Sequence, residues 1–77
     1  MANVVEEFGE DGFLRRQWVL PPAAVASLRP HVEMDDDDVW IVGEWPLTEE
    51  LAAAVQPWVD QPIDVASGNW FVSAHST

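Results

Sequence analysis

The sequence predicts an α+β fold, a two-layer sandwich in which two helices cover one face of a four-stranded, mainly antiparallel sheet. Three observations predict it: short segments rich in β-formers, two segments with helical apolar spacing between them, and glycine or proline at most junctions. The predicted order is β-β-α-β-α-β. At 77 residues the chain has room for a single small domain, residues 1–77, with an ordered core at about residues 3–74.

The first two strands are predicted to form a β-hairpin. Residues 4–8 are rich in β-formers, and the glycines at positions 9 and 12 signal a turn. Residues 13–20 alternate well enough for a second strand, which ends at Pro21 because proline cannot donate to a ladder. The alternation predicts one shared face for three apolar side chains, Leu14, Trp18 and Leu20.

A short helix is predicted after this strand, since Pro22 suits a first helical turn. Within residues 23–28, Val25 and Leu28 are three positions apart and face the sheet together. Pro30 limits the helix to about two turns, and a helix this short must be held by packing.

Residues 39–45 are predicted to form the third strand, which Pro46 closes. The first four of these residues are apolar on both faces, which favours a central strand or one covered on both sides. An acidic loop at residues 33–38, containing four consecutive aspartates, precedes the strand.

The second helix is predicted to begin at Thr48, an N-cap followed by Glu49 and Glu50 in the first turn. Pro57 is expected to kink or tighten its last turn. Its apolar face comprises Leu51, Val55, Trp58 and Val59. A glycine-containing turn then leads into the last strand, residues 70–74.

The charge of the chain narrows the choice of partners. The chain contains fourteen acidic residues, three arginines and no lysine, which gives a formal net charge of -11. This charge repels a nucleic-acid backbone or an anionic membrane and accelerates encounter with a basic macromolecule. Maintaining solubility is the alternative explanation for the acidity.

The composition also predicts a cytoplasmic location. The absence of cysteine excludes disulfides and thiolate zinc sites and fits a reducing compartment. The first residues lack the features of a signal peptide, and no apolar stretch approaches the length needed to cross a bilayer.

No catalytic residue, metal site or cofactor is predicted. A calcium loop counted from Asp35 would place Trp40 and Pro46 where glycine and glutamate are needed. The two histidines, His31 and His75, lie in no zinc motif, and no hydroxyl lies in a nucleophile-elbow motif. A chain this short also has little volume for a water-excluding pocket. We therefore expect a protein that is not an enzyme.

The strongest candidate for a binding site is the acidic loop with the tryptophans beside it. The loop is interpreted either as a solvated surface or as a surface that faces a cationic partner. Trp40 and Trp45 are an odd number of residues apart, so a regular strand directs them to opposite faces, and one of them can act as a contact anchor unless both are structural. The predicted partner-binding residues are Glu33, Asp35, Asp36, Asp37, Asp38, Trp40, Glu44 and Trp45.

Several short motifs together resemble a family of small acidic bacterial proteins that are often encoded beside toxin genes. They are Val4-Val5-Glu6-x-Phe8, Leu20-Pro21, the aspartate-rich loop, Trp45-Pro46-Leu47-Thr48-x-Glu50, Gln56-Pro57-Trp58-Val59-Asp60 and Trp70-Phe71. The resemblance spans most of the chain. The departures are tryptophan in place of tyrosine at positions 45 and 58, high alanine and valine content, and the lack of lysine. The family supplies no catalytic residues to carry over.

The resemblance implies an immunity protein that neutralises a cognate toxin, such as a nuclease, by occupying a basic surface or active cleft. The expected partner is a basic protein, a toxin domain, with no nucleic acid and no membrane as partners; the oligomeric state stays open. Two alternatives also stay open. A nucleic-acid-mimicking inhibitor of a restriction or defence complex would carry carboxylates in rows along one face, and a non-catalytic adaptor subunit would form obligate oligomers.

Overall fold

A computed structural model describes residues 2–32 and 43–75 and confirms the predicted α+β class. Its strands and helices, in chain order, are β1 (Ala2–Phe8), β2 (Leu14–Leu20), α1 (Pro22–Leu28), β3 (Glu44–Pro46), α2 (Glu49–Val55) and β4 (Trp70–His75). Short 3-10 turns occupy Arg29–His31, Gln56–Trp58 and Val65–Ser67. No helix within the described ranges is long and apolar enough to span a membrane.

The strands form one antiparallel sheet in the order β2-β1-β4-β3. Val5 of β1 lies opposite Trp18 of β2 and opposite Val72 of β4, and Trp45 of β3 lies opposite Val72. Residues that oppose each other in antiparallel strands share a face, so this row of four side chains points to one side of the sheet.

The core lies between that face and the two helices, as the sequence predicts. Val5, Leu28, Val55 and Val72 are all fully buried, and they come from both layers. The core cluster comprises Val5, Leu20, Ala24, Val25, Leu28, Leu47, Leu51, Val55, Val59, Trp70 and Val72. Neither helix is long enough to persist alone, so this shared burial is what holds each of them in place.

The ends of the second helix follow the predicted chemistry. The Thr48 hydroxyl oxygen accepts a hydrogen bond from the backbone N–H of Leu51 at 3.2 Å. The α-helix ends at Val55 and tightens into a 3-10 turn that contains Pro57. Proline has no N–H to donate, so the regular helical ladder stops where it enters.

The predicted hairpin is confirmed, but its register differs at one residue. The ladder shifts between Glu7 and Phe8, and Leu14 consequently lies opposite Phe8. The expectation that Leu14 shares an inward face with Trp18 and Leu20 is therefore wrong, because a β-bulge adds one residue to β2 and reverses the alternation beyond it.

The described part of the third strand, Glu44–Pro46, pairs with β4 and lies at an edge of the described sheet. The prediction of a central strand, or of one covered on both sides, depended on the apolar residues 39–42. The central places belong to β1 and β4, and β1 buries Val4 and Val5 on its two faces. The rest of the predicted strand, residues 39–42, lies outside the described residues.

Candidate functional site

Most of the predicted binding residues lie outside the part of the chain that the structure describes. These are Glu33, Asp35, Asp36, Asp37, Asp38 and Trp40. The structure does describe the residues on either side of the stretch 33–42, which contains the acidic segment, residues 33–38. One end is Val32, after α1 and its 3-10 turn, and the other is the stretch that enters β3 at Gly43.

The first end is held against the second helix. Nδ1 of His31 lies 3.5 Å from a carboxylate oxygen of Glu50, in the first turn of α2. This contact links the 3-10 turn after α1 to the first turn of α2, and it lies one residue before Val32. Glu49 and Glu50 are both exposed, and the helix dipole favours negative charge at this position.

At the second end, the two predicted site residues that the structure describes, Glu44 and Trp45, lie on opposite faces of β3. Glu44 is exposed and lies opposite Ser73 of β4, on the face away from the helices. Trp45 points to the other face, where it is half-buried and packs against the core cluster. The adjacent residues therefore have different environments: Glu44 is open to solvent and Trp45 lines the margin of the core.

A buried carboxylate lies close to Glu44 on the same face. Glu6 is almost fully buried, and its carboxylate accepts a hydrogen bond from the hydroxyl of Ser73. Glu6 lies opposite Phe71, whose ring packs edge-to-face on Phe8 with centroids 5.7 Å apart. The face away from the helices thus combines aromatic packing with a hydrogen-bonded acid.

Two of the three arginines, Arg15 and Arg16, lie far from β3 in the sheet order, and the third, Arg29, lies in the 3-10 turn after α1. Arg15 and Arg16 are exposed on β2, at the opposite edge of the described sheet. Neither forms an ion pair with a described carboxylate, and Arg16 donates instead to the amide oxygen of Gln61. These two cations do not neutralise Glu44, Glu49 or Glu50.

A second acidic cluster surrounds the hairpin turn. It lines two neighbouring open depressions of about 460 and 250 Å³, which also include Arg15. We call its four carboxylates the hairpin-turn acids: Glu7, Glu10, Asp11 and Asp64. Asp11 and Asp64 have local structural roles, since each accepts a backbone N–H hydrogen bond two residues further along the chain.

β2 also contacts the loop after α2, through side chains that no sequence motif indicates. Nε1 of Trp18 donates to Asp60 at 2.9 Å, and Gln61 accepts from Arg16 while donating to Glu7 at 3.3 Å. In each of these three pairs the partners are more than forty residues apart in the chain, so no local pattern could have paired them.

Together these features define a small two-layer α+β domain with an acidic segment between α1 and β3 and an arginine-bearing strand at the opposite sheet edge. No protein-family model matches the chain, and comparisons with curated proteins and with solved structures give no significant match.

Proposed function

We propose that this chain is a binding protein, not an enzyme, that uses its acidic segment to occupy a basic surface of a protein partner. The observation that carries the proposal is the separation of charge in the fold. The acidic segment leads into β3, where Glu44 is exposed, while two of the three arginines, Arg15 and Arg16, lie on β2 at the far edge of the described sheet. The third, Arg29, lies in the 3-10 turn that precedes the segment, and its single positive charge is outnumbered by the acids of the segment.

This separation matters because electrostatic attraction depends on uncompensated charge. Four consecutive aspartates repel one another, and a cationic partner relieves that repulsion on binding. A directed negative potential raises the rate of encounter with a basic surface by about tenfold or more at low salt. The exposed Glu44, Glu49 and Glu50 add to the potential near the ends of the segment.

The proposed partner is a cytoplasmic toxin domain whose active cleft is basic, and the chain would act as its immunity protein. An enzyme that acts on a polyanion, such as a nuclease, presents arginine and lysine where its substrate binds. The carboxylates concentrated in the acidic segment can occupy the same positions. Trp40 or Trp45 would supply the desolvated anchor that slows dissociation.

The proposal is tested by isothermal titration against the product of the adjacent gene. The test variant changes Asp35, Asp36, Asp37 and Asp38 to asparagine. The matched control changes the hairpin-turn acids to their amides, Glu7→Gln, Glu10→Gln, Asp11→Asn and Asp64→Asn. Both variants remove four negative charges, and the control keeps the oxygen acceptors that its local hydrogen bonds need.

We expect nanomolar binding by the native chain and a dissociation constant at least about tenfold higher for the acidic-segment variant than for the control. Equal weakening by the two variants would show that total charge, and not the segment, drives binding. Tight binding that survives loss of all four aspartates would contradict the mechanism, and absence of binding by the native chain would contradict the immunity role.

A further inference from the structure

β2 is an edge strand with the properties of a strand-pairing surface. It has seven residues, Leu14–Leu20, contains no proline, and pairs with β1 as its single partner among the described strands. The outer side of an edge strand presents backbone N–H and C=O groups that can pair with another strand. The described part of the other edge, β3, ends in Pro46, which has no N–H to donate to a ladder, so it is a poorer template.

Exposed apolar side chains are concentrated on the same strand. Phe13 is 74 % exposed, Val19 is 66 % exposed and Leu14 is 45 % exposed. These are the large hydrophobic side chains with the highest exposure in the described chain, and all three lie in β2 or directly before it. An exposed apolar edge strand of this kind marks an association site.

One charge contact across a twofold axis, between Arg16 and Asp60, favours a second copy of this chain as the occupant of that edge. β2 contains two arginines and no carboxylate, within a chain of net charge -11. When two β2 strands run antiparallel with Gln17 opposite Gln17, Arg16 of each copy lies opposite Trp18 of the other. Trp18 is hydrogen-bonded to Asp60, so the guanidinium group of each Arg16 reaches an exposed carboxylate across the axis.

The same register also covers apolar surface. Arg15 then lies near Val19 of the other copy, and its aliphatic stem can cover that valine while the guanidinium stays in water. A register centred on Arg15 or Arg16 would set arginine directly opposite arginine, which is unfavourable. The twofold symmetry of the Gln17 register repeats each favourable contact.

We propose that the chain forms a homodimer through antiparallel β2–β2 pairing centred on Gln17, with Arg16 of each copy beside Asp60 of the other. The sheet then continues from one copy into the next. This dimer does not depend on the proposed function, because β2 lies at the opposite sheet edge from β3 and the acidic segment that leads into it.

The test is the mass of the isolated chain in solution, measured by light scattering and sedimentation over a wide range of concentrations. The native chain should approach twice the monomer mass as concentration rises. Arg16→Glu places like charges beside Asp60, and Asp60→Arg places them beside Arg16, so each should raise the dissociation constant by about tenfold or more. The double variant restores an ion pair of reversed polarity and should recover the dimer.

Two controls separate this interface from effects on folding. Ala26→Glu adds an acid on the exposed side of α1 and should leave dimerisation unchanged. Asp60→Asn keeps an oxygen acceptor for the indole N–H of Trp18. The near-UV circular dichroism spectrum of this variant should therefore match that of the native chain, while its dimer dissociation constant rises. Amide exchange in β2 should slow as the dimer forms.

A native chain that stays monomeric at its highest soluble concentration would overturn the proposal. A dimer that survives both single variants, or that the double variant fails to restore, would overturn the proposed register. Because no partner is present in these measurements, their outcome is separate from that of the toxin titration.

Discussion

The indole ring of Trp18 stacks on the indole ring of Trp70, with centroids 5.4 Å apart and planes inclined by 14°. Trp18 belongs to β2 and Trp70 to β4, and β1 lies between these strands. The rings therefore meet over β1 and connect an edge strand to a central one. The hydrogen bond from Trp18 to Asp60 also holds the loop after α2 against this stack.

Removing this stack should destabilise the fold. Trp18 is half-buried, so Trp18→Ala should lower the free energy of unfolding by about 2–4 kcal/mol, below the loss expected for a fully buried tryptophan. Urea denaturation followed by circular dichroism measures this change. Trp18→Phe keeps an aromatic ring but no donor for Asp60, and it should lose less; equal losses for the two variants would contradict the role of stacking.

The same substitution at two leucines tests the position of the β-bulge. Leu28 is fully buried between the layers, and Leu28→Ala should cost about 2–5 kcal/mol of stability. Leu14 lies opposite Phe8 and is 45 % exposed, so Leu14→Ala should cost about 1 kcal/mol or less. Urea denaturation at low protein concentration provides both values. Similar losses of stability at both positions would indicate that Leu14 is buried in the core, and they would contradict the register in which Leu14 lies opposite Phe8.

The N-cap of α2 should be measurable by a single substitution. Thr48→Ala leaves the N–H of Leu51 without its side-chain acceptor and should cost about 1 kcal/mol of unfolding free energy. Thr48→Ser keeps the hydroxyl and should be close to native in thermal and urea unfolding. If the serine variant were as unstable as the alanine variant, the methyl group and not the cap would be responsible.

Gln56 holds the loop that carries Asp60. Its side-chain amide donates to the carbonyl oxygens of Val59 and Gln61 at 3.2 and 2.8 Å, and its oxygen accepts from the N–H of Ile63 at 3.1 Å. Gln56→Glu replaces both donations by contacts between oxygens, so stability at neutral pH should fall by about 1–3 kcal/mol. Gln61→Glu is the control, because Gln61 donates a single longer hydrogen bond to Glu7.

The outcome for Gln56→Glu should depend on pH. Protonating the introduced carboxyl group restores one donor, so part of the lost stability should return under acidic conditions. Unfolding curves that show the same difference from the native chain at neutral and acidic pH would contradict this assignment of the hydrogen bonds.

Local chemistry predicted much of the fold. Thr48 has the hydroxyl that a helix start needs, so the start of α2 was readable from a single residue. Pro57 lacks the donor that a helix interior needs, and it indicated a tightened last turn but not the end of the α-helix at Val55. Leu14 could not be assigned in this way. A bulge depends on how β1 and β2 fit together, and the alternation of one strand does not reveal an extra residue in the ladder.

The candidate site was predictable to a smaller extent. The run of aspartates is visible in the sequence as a concentration of charge, and the role of that segment stays a prediction. The exposed environment of Glu44 and the half-buried environment of Trp45 depend on the pairing of β3 with β4. The contact between His31 and Glu50 likewise depends on the packing of α1 against α2.

The sequence by itself determined the α+β class, the order of the elements, the capped start of the second helix and the strong negative charge, because these follow from composition, local periodicity and capping. Tertiary structure alone decided which strands lie at the edges of the described sheet and which distant residue receives the indole hydrogen of Trp18. It also decided that Leu14 and Val19 of β2, and Phe13 directly before it, are exposed. Edge positions and long-range contacts arise when separate segments compete for the same buried surface, and no single segment carries that information.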